Sequence, residues 1–256
     1  MESRYGLTLM SDRERAEYYK REVEKKYTYL RGVCSDDKHP NLIVALGFAY
    51  ERHRGQNRKS GEPYIDHPFT LACDAVGMGM NDDILLATLV LHDVLEDTPT
   101  IATDLPVNDD VKRAVECMTV RRLPGESKYD TKNRYYSMLA RNKYAVIGKG
   151  LDRRNNLGTM AGIMPKVSIV KNCYETWFIL LPLLGDAKTK WPEYSNQLHT
   201  IRTDIAALTK TLVVLTGTKL AYREWPSDEL MRRILEAESD EDLARIAEIV
   251  QSPRLF

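Results

Sequence analysis

Ile84-Leu85-Leu86-Ala87-Thr88-Leu89-Val90-Leu91-His92-Asp93-Val94-Leu95-Glu96-Asp97 passes without a break from a nearly continuous apolar run into a cluster of ionisable residues. A run this apolar, opened by Asn81 or Asp82 as a cap, predicts a helix buried on all sides. Asp and Glu are rarely buried unless they are paired or bound to metal. Glu96 follows His92 by four residues and Asp97 follows Asp93 by four, so on a continuing helix each pair shares a face. A helix end emerging into water is the commoner origin of a lone His-Asp pair. Three carboxylates and an imidazole on one patch repel one another, however, and call for a cation among them.

The helical period continues in both directions. Residues 11–29 are charged and Tyr-rich and predict a surface helix capped by Ser11 or Asp12. Leu42, Ile43, Leu46, Ala49 and Tyr50 give 40–56 a helical spacing. Pro68 opens another helix that stops near Gly77-Met78-Gly79. Further helices are expected over 108–119, 130–147, 166–184 and 193–215, with an exposed connection at 120–129 around Pro124-Gly125. Trp225-Pro226-Ser227 caps a last pair over 227–237 and 240–250. There is no alternating strand pattern, internal repeat or low-complexity segment. The expected fold class is all-α, a helical bundle with a C-terminal helical appendage.

Composition narrows the function. The 256 residues carry 37 Lys+Arg against 37 Asp+Glu, with 43% hydrophobic and 29% charged residues. Zero net charge argues against nucleic-acid binding through bulk charge, although not against a local basic pocket. No apolar run approaches the roughly 18 residues of a membrane span, so no membrane partner is expected. Residues 1–5 lack the apolar core of a signal peptide. Cys34, Cys73, Cys117 and Cys173 are scattered without a CxxC pair and read as reduced thiols of a cytoplasmic protein.

Two further residues of ligand type stand out. His67 precedes Pro68 at an expected helix start, where it would ordinarily be a cap. Asp152 lies in Gly150-Leu151-Asp152-Arg153-Arg154-Asn155-Asn156-Leu157, where a solvated Asp is the ordinary reading. The stretch from Arg52 to Tyr64 is basic with a Ser-Gly-Glu-Pro turn. Alone it is a solvated loop; beside an acidic metal centre it supplies what a polyphosphate needs.

Taken together, Arg58-Lys59-Ser60-Gly61-Glu62-Pro63-Tyr64-Ile65-Asp66-His67-Pro68, Leu91-His92-Asp93-Val94-Leu95-Glu96-Asp97-Thr98 and Lys149-Gly150-Leu151-Asp152-Arg153-Arg154-Asn155-Asn156-Leu157-Gly158-Thr159-Met160 resemble the HD hydrolase domain of the RelA/SpoT homologues, in the family's order and with similar gaps. These proteins make and break the alarmones ppGpp and pppGpp of the stringent response. The resemblance covers about residues 40–185. It implies an HD-domain phosphohydrolase bundle over 40–190, with an N-terminal helical extension at 1–39 and C-terminal helices at 191–256 packed on it. It implies four metal ligands, His67, His92, Asp93 and Asp152, typically holding Mn²⁺. Two imidazoles and two carboxylates suit Mn or Fe without excluding Zn. Glu96 and Asp97 match the acidic pair that activates the attacking water. Arg58, Lys59 and Ser60 match a nucleotide-contacting loop, and His53 a histidine near the substrate. Lys149 and Arg153 match basic residues beside the last ligand, and Asn156 and Thr159 match residues lining the nucleoside pocket. Tyr174 corresponds loosely to a stacking tyrosine.

The chain departs from the family at Arg154 and Asn155, which replace an apolar Leu and a His; this is expected to alter the preference for base or phosphate pattern. Nothing after residue 160 resembles a synthetase, so the expectation is a stand-alone small alarmone hydrolase, a guanosine-3′,5′-bis(diphosphate) 3′-pyrophosphohydrolase giving GDP or GTP and pyrophosphate. The alternatives are the same fold acting on adenosine alarmones or as an NADPH 2′-phosphatase, a general HD-type nucleotide phosphatase, and an antitoxin partner of an alarmone-synthetase toxin. The resemblance leaves open a homo-oligomer.

Overall fold

A computed structural model describes residues 10–34, 37–217 and 226–251, with side chains described to residue 246. Residues 1–5 and Trp225, which entered the sequence reading, lie outside the described residues. Every regular element among the described residues is helical, apart from an isolated bridge between Asn57 and Pro63. The chain divides into two compact units, 1–112 and 113–256.

The first unit is built around the apolar run. The helices are α1 (Asp12–Val33), α2 (Pro40–Arg52), α3 (Asp66–Gly77), α4 (Asp83–Leu91) and a single turn, α5 (Val94–Asp97). α4 packs against α2 and α3, and α1 packs against α3. Every residue from Leu85 to Leu91 is buried, as the lack of a polar face requires. Two adjacent acids organise the start of α4. Asp82 Oδ1 accepts from the amides of Ile84 and Leu85 at 3.0 and 3.2 Å. Asp83 reaches instead to α2, accepting from the amides of Asn41 and Leu42 and from Asn41 Nδ2 at 2.7–3.2 Å. One carboxylate therefore satisfies orphan donors at the N-terminus of a neighbouring helix. Ser11 caps α1 in a reciprocal capping box with Glu14.

The expected continuous helix through His92-Asp93 is interrupted. α4 stops at Leu91, and Asp93 takes φ −96° and ψ −6°, the sparsely populated region between helix and strand. The following turn still closes, with Asp97 N–H donating to Asp93 C=O at 2.9 Å. The four-residue relation between these acids thus survives the break.

α6 (Asp109–Met118) spans the boundary between units. The second unit holds α7 (Lys128–Leu139), α8 (Lys143–Thr159), α9 (Lys166–Glu175), a π-helical segment at Thr176–Leu180, α10 (Leu181–Lys190), α11 (Ser195–Thr216), α12 (Asp228–Glu236) and α13 (Asp240–Gln251). The helix expected over 130–147 is two helices. α7 ends at Leu139, and Asn142 caps α8 by accepting from the amides of Tyr144 and Ala145. α11 packs on α8 and α10, and α12 packs on α7 and α9. A Cβ at Gly150 would stand 2.9 Å from Ile201 Cγ2 and 3.2 Å from a Leu184 methyl, so a glycine in mid-helix is what lets α8 approach α10 and α11. The helical run 166–190 is long and apolar enough to cross a membrane by length and composition, which the composition reading did not anticipate; 56% of its most apolar window is buried inside the protein.

Candidate metal centre

The first unit brings together His67, His92 and Asp93, each from a different local setting. His67 lies in the first turn of α3, at a helix start fixed from outside: Asp66 accepts two bonds from Lys26 Nζ at 2.6 and 2.7 Å. His92 follows the last residue of α4, and Asp93 occupies the break. One potential ligand atom from each lies within 4.8 Å of the others. Both imidazoles are buried, at 3% exposure, while Asp93 is part-exposed.

The hydrogen bonding fixes what these atoms offer. His92 Nδ1 lies 2.8 Å from the Leu89 carbonyl, which can only accept. Nδ1 therefore carries a proton, which leaves Nε2 to face the cluster, the orientation usual for a metal-ligating histidine. Nε2 lies 2.9 Å from Asp93 Oδ2, and His67 Nε2 lies 3.8 Å from the same oxygen. At 2.9 Å, Nε2 and the carboxylate oxygen call for either a proton on Nε2 or a metal ion shared between them. The donor set and its spacing fit a divalent metal.

Tyr64 was not singled out from the sequence, where it reads as a loop aromatic. Its hydroxyl lies 2.7 Å from Asp93 Oδ2 and 2.5 Å from Asp97 Oδ2. One phenol proton cannot serve both oxygens, so it ties the two acids together and couples their charges. Burial, reinforced by Asp93 and Asp97, pushes the Tyr64 hydroxyl far above its ordinary pKa and keeps it a donor. The ring stacks on His53 at 4.8 Å. His53 Nδ1 donates to Gln56 Oε1 at 2.8 Å, since Gln56 Nε2 is committed to the Asp97 carbonyl at 3.0 Å. His53 is 2% exposed, and its Nε2 is a buried acceptor with no hydrogen-bond partner among the described residues. Burial holds this histidine below its usual pKa, hence neutral. Tyr64→Phe is expected to keep the fold but release both carboxylates, weakening metal affinity by about 10–100-fold, the scale of outer-shell partners; titration of metal into apo-protein checks this.

The basic loop is a stitched turn. Arg58 N–H donates to Glu62 C=O and Tyr64 N–H to Gln56 C=O, both at 2.9 Å, and Gly61 supplies a φ of +97°. Lys59 and Ser60 are exposed at its tip and Arg58 is half-buried. Glu96 and Asp97 are both exposed, but only Asp97 is held by Tyr64.

The remaining expected site residues belong to the second unit. α8 carries Lys149, Asp152, Arg153, Asn156 and Thr159. Asp152 is buried, accepting from Lys149 Nζ at 2.8 Å and from Asn156 Nδ2 at 2.6 Å. Burial opposes the Lys149 charge, but Asp152, Tyr135 and Tyr136 together outweigh it and hold the ammonium protonated. Arg153 is 3% exposed and turned to Glu175, 2.6 Å away, and to the Asn172 side chain. Glu175 also takes bonds from Lys132 at 3.1 Å and Tyr136 at 2.7 Å. Burial would raise the Glu175 pKa, but Lys132, Arg153 and Lys149 together hold it well below 4.5. Arg154, expected to alter substrate preference, instead bonds Asp204 of α11 at 2.8 Å, so its charge serves helix packing. Thr159 is exposed, and Tyr174 packs on Phe178. Burial raises the Cys73 and Cys173 thiols to about 11, which removes them as nucleophiles near neutrality.

No protein-family model matches the chain. Among curated proteins it is 32% identical over 155 residues to a probable GTP pyrophosphokinase of Mycobacterium leprae, covering 57% of this chain and 19% of that protein. It is 28% identical over 182 residues to the bifunctional (p)ppGpp synthase/hydrolase SpoT of Escherichia coli, 68% of this chain and 24% of that protein. It is 34% identical over 123 residues to a guanosine-3′,5′-bis(diphosphate) 3′-pyrophosphohydrolase of Aquifex aeolicus, 45% of this chain and 17% of that protein. The chain thus matches about a fifth of the length of these relatives.

Proposed function

We propose that this chain, a RelA/SpoT homologue over about two thirds of its length, is a metal-dependent hydrolase that removes the 3′ pyrophosphate of (p)ppGpp, giving GDP or GTP and pyrophosphate. The observation that carries the reading is the convergence of His67, His92 and Asp93 within 4.8 Å, in a chain whose relatives include enzymes named for this reaction. We assign these three as metal ligands and, on the motif resemblance alone, Asp152 as the fourth. Mn²⁺ is the ion assigned on the motif resemblance; the mixed nitrogen and oxygen donors suit it as they suit Fe. A divalent cation bound there supplies Lewis-acid charge and a water of lowered pKa.

The chain's own residues supply the rest. Water attacks the phosphorus bonded to the 3′ oxygen, that P–O bond breaks, and the 3′ oxygen leaves to take up a proton. Glu96, exposed and outside the Tyr64 bridge, accepts the proton lost by water. Asp97, held by Tyr64, orients that water. Arg58, Lys59 and Ser60 bind phosphate or ribose oxygens of the substrate, and His53, buried and stacked on Tyr64, lies near the substrate and positions that ring. Asn156 and Lys149 position Asp152 through the bonds described above, and Thr159 lines the nucleoside pocket. Arg153, committed to Glu175, acts as a positioning residue for α8.

Glu96→Gln is expected to leave metal content unchanged and slow turnover about 10²-fold, the scale of a general base; parallel loss of metal would instead make Glu96 a ligand. The reading itself is tested by incubating purified protein with ppGpp and Mn²⁺ beside a chelator control. Metal-dependent release of pyrophosphate and GDP supports it. Turnover of an adenosine alarmone or NADPH in its place would move the substrate, and no turnover of any of the three would overturn the hydrolase reading.

A further inference from the structure

We propose that an arginine-lined cavity in the second unit, built from residues given no role above, binds a small polyphosphate anion. The cavity holds about 490 Å³, within the range of small-ligand sites. Arg113 comes from α6, Arg121 from the connection after it, Arg134 from α7, and Arg141 from the turn that ends α7; Glu116 is the acid in the lining. Arg134 is neutralised by Glu126, so the surplus at the cavity is carried by Arg121 and Arg141.

The frame of this cavity is held. Arg134 donates from Nε and Nη2 to the two oxygens of Glu126, both at 2.8 Å, and from Nη2 to the Arg121 carbonyl. The Arg134 bonds, followed by the Leu123 amide, bring the Glu126 carboxyl down to about 2, so this clamp persists at all ordinary pH. It fixes the backbone that carries Arg121 against α7. Arg121 and Arg141 are exposed, and neither guanidinium has an acidic partner among the described residues. Tyr135, buried at 3% exposure, contributes the aromatic wall. Guanidinium forks match phosphate oxygens in bidentate geometry, and several forks around one cavity favour a ligand with two or more phosphates over a single carboxylate. The Tyr135 ring also lies 5.8 Å from Lys149 Nζ, so the cavity wall touches the helix that carries Asp152.

The test is calorimetric titration of inorganic pyrophosphate into the full chain freed of divalent metal, which makes the readout independent of hydrolysis. Arg121→Gln/Arg141→Gln is expected to weaken binding about tenfold or more, as loss of charged donors does. Arg58→Gln/Lys59→Gln removes any pyrophosphate held by the substrate loop and is expected to leave the component of binding that depends on Arg121 and Arg141 in place. Circular dichroism and thermal melts of both variants check that each remains folded. Unchanged affinity in the Arg121/Arg141 variant, or loss of binding in the Arg58/Lys59 variant alone, overturns the proposal, as does no binding to wild type. A nucleoside diphosphate titrated in parallel separates the ligand sources: tighter binding than pyrophosphate, lost with the same two arginines, supports a nucleotide, and equal binding supports the polyphosphate alone.

Discussion

Asp93→Ala is expected to abolish turnover and strip the protein of divalent metal. Its carboxylate stands at the focus of the His67–His92–Asp93 cluster: the Nε2 atoms of His92 and His67 lie 2.9 and 3.8 Å from Oδ2, and the Tyr64 hydroxyl 2.7 Å away. Removing it leaves two buried imidazoles without the carboxylate that faces them both. The rate should fall about 10³-fold or more, beyond the 10–100-fold typical of outer-shell partners. Metal content by atomic emission, with rates at saturating Mn²⁺, checks both parts. An unchanged rate in metal-saturated protein would sink the metal assignment.

Glu175→Ala is expected to destabilise the protein by about 3–5 kcal/mol, because it leaves the buried Arg153 and the half-buried Lys132 without their acid. The pH dependence follows from the direction of the shift. The folded carboxyl is held well below 4.5 by burial-opposing cations, so its stabilisation is fully present above pH 4.5 and is lost as pH falls through the folded value. Wild type and Glu175→Gln should therefore differ most near neutrality and converge in acid. Urea melts across that range measure the gap; a gap that widens on acidification would contradict the charged assignment.

The helices were largely legible in the sequence because their apolar positions recur at helical spacing. α4 was plain from a run without polar residues, and Ser11, Asp82 and Ser227 were recognisable as caps. The break at His92-Asp93 was not legible, because it rests on one residue's backbone angles and leaves the residue spacing intact. Nor was the split between α7 and α8: Asn142 interrupts a pattern that stays apolar on both sides. The π-helical turn after Glu175 has the same composition as the helix around it. In the site, His67, His92 and Asp93 could be named from their motifs, but Tyr64 could not. Its importance lies in bonds to residues 29 and 33 positions away. Glu96 and Asp97 look equivalent in sequence, whereas in the structure Tyr64 reaches Asp97. Likewise Arg154 reads as a pocket residue until Asp204 is seen to hold it.

Gly150 has a kinetic consequence. The helix carrying Asp152 lies so close to Ile201 and Leu184 that a single methyl would collide with them, and residues 145–148 and 150–153 are buried. A backbone amide in this stretch cannot meet solvent by fraying of one turn, since the backbone at Gly150 packs directly against the Ile201 and Leu184 side chains. In deuterated water these amides should exchange only when the unit as a whole opens, among the slowest in the chain, while those of the exposed Arg122 and Gly125 exchange within the first time points.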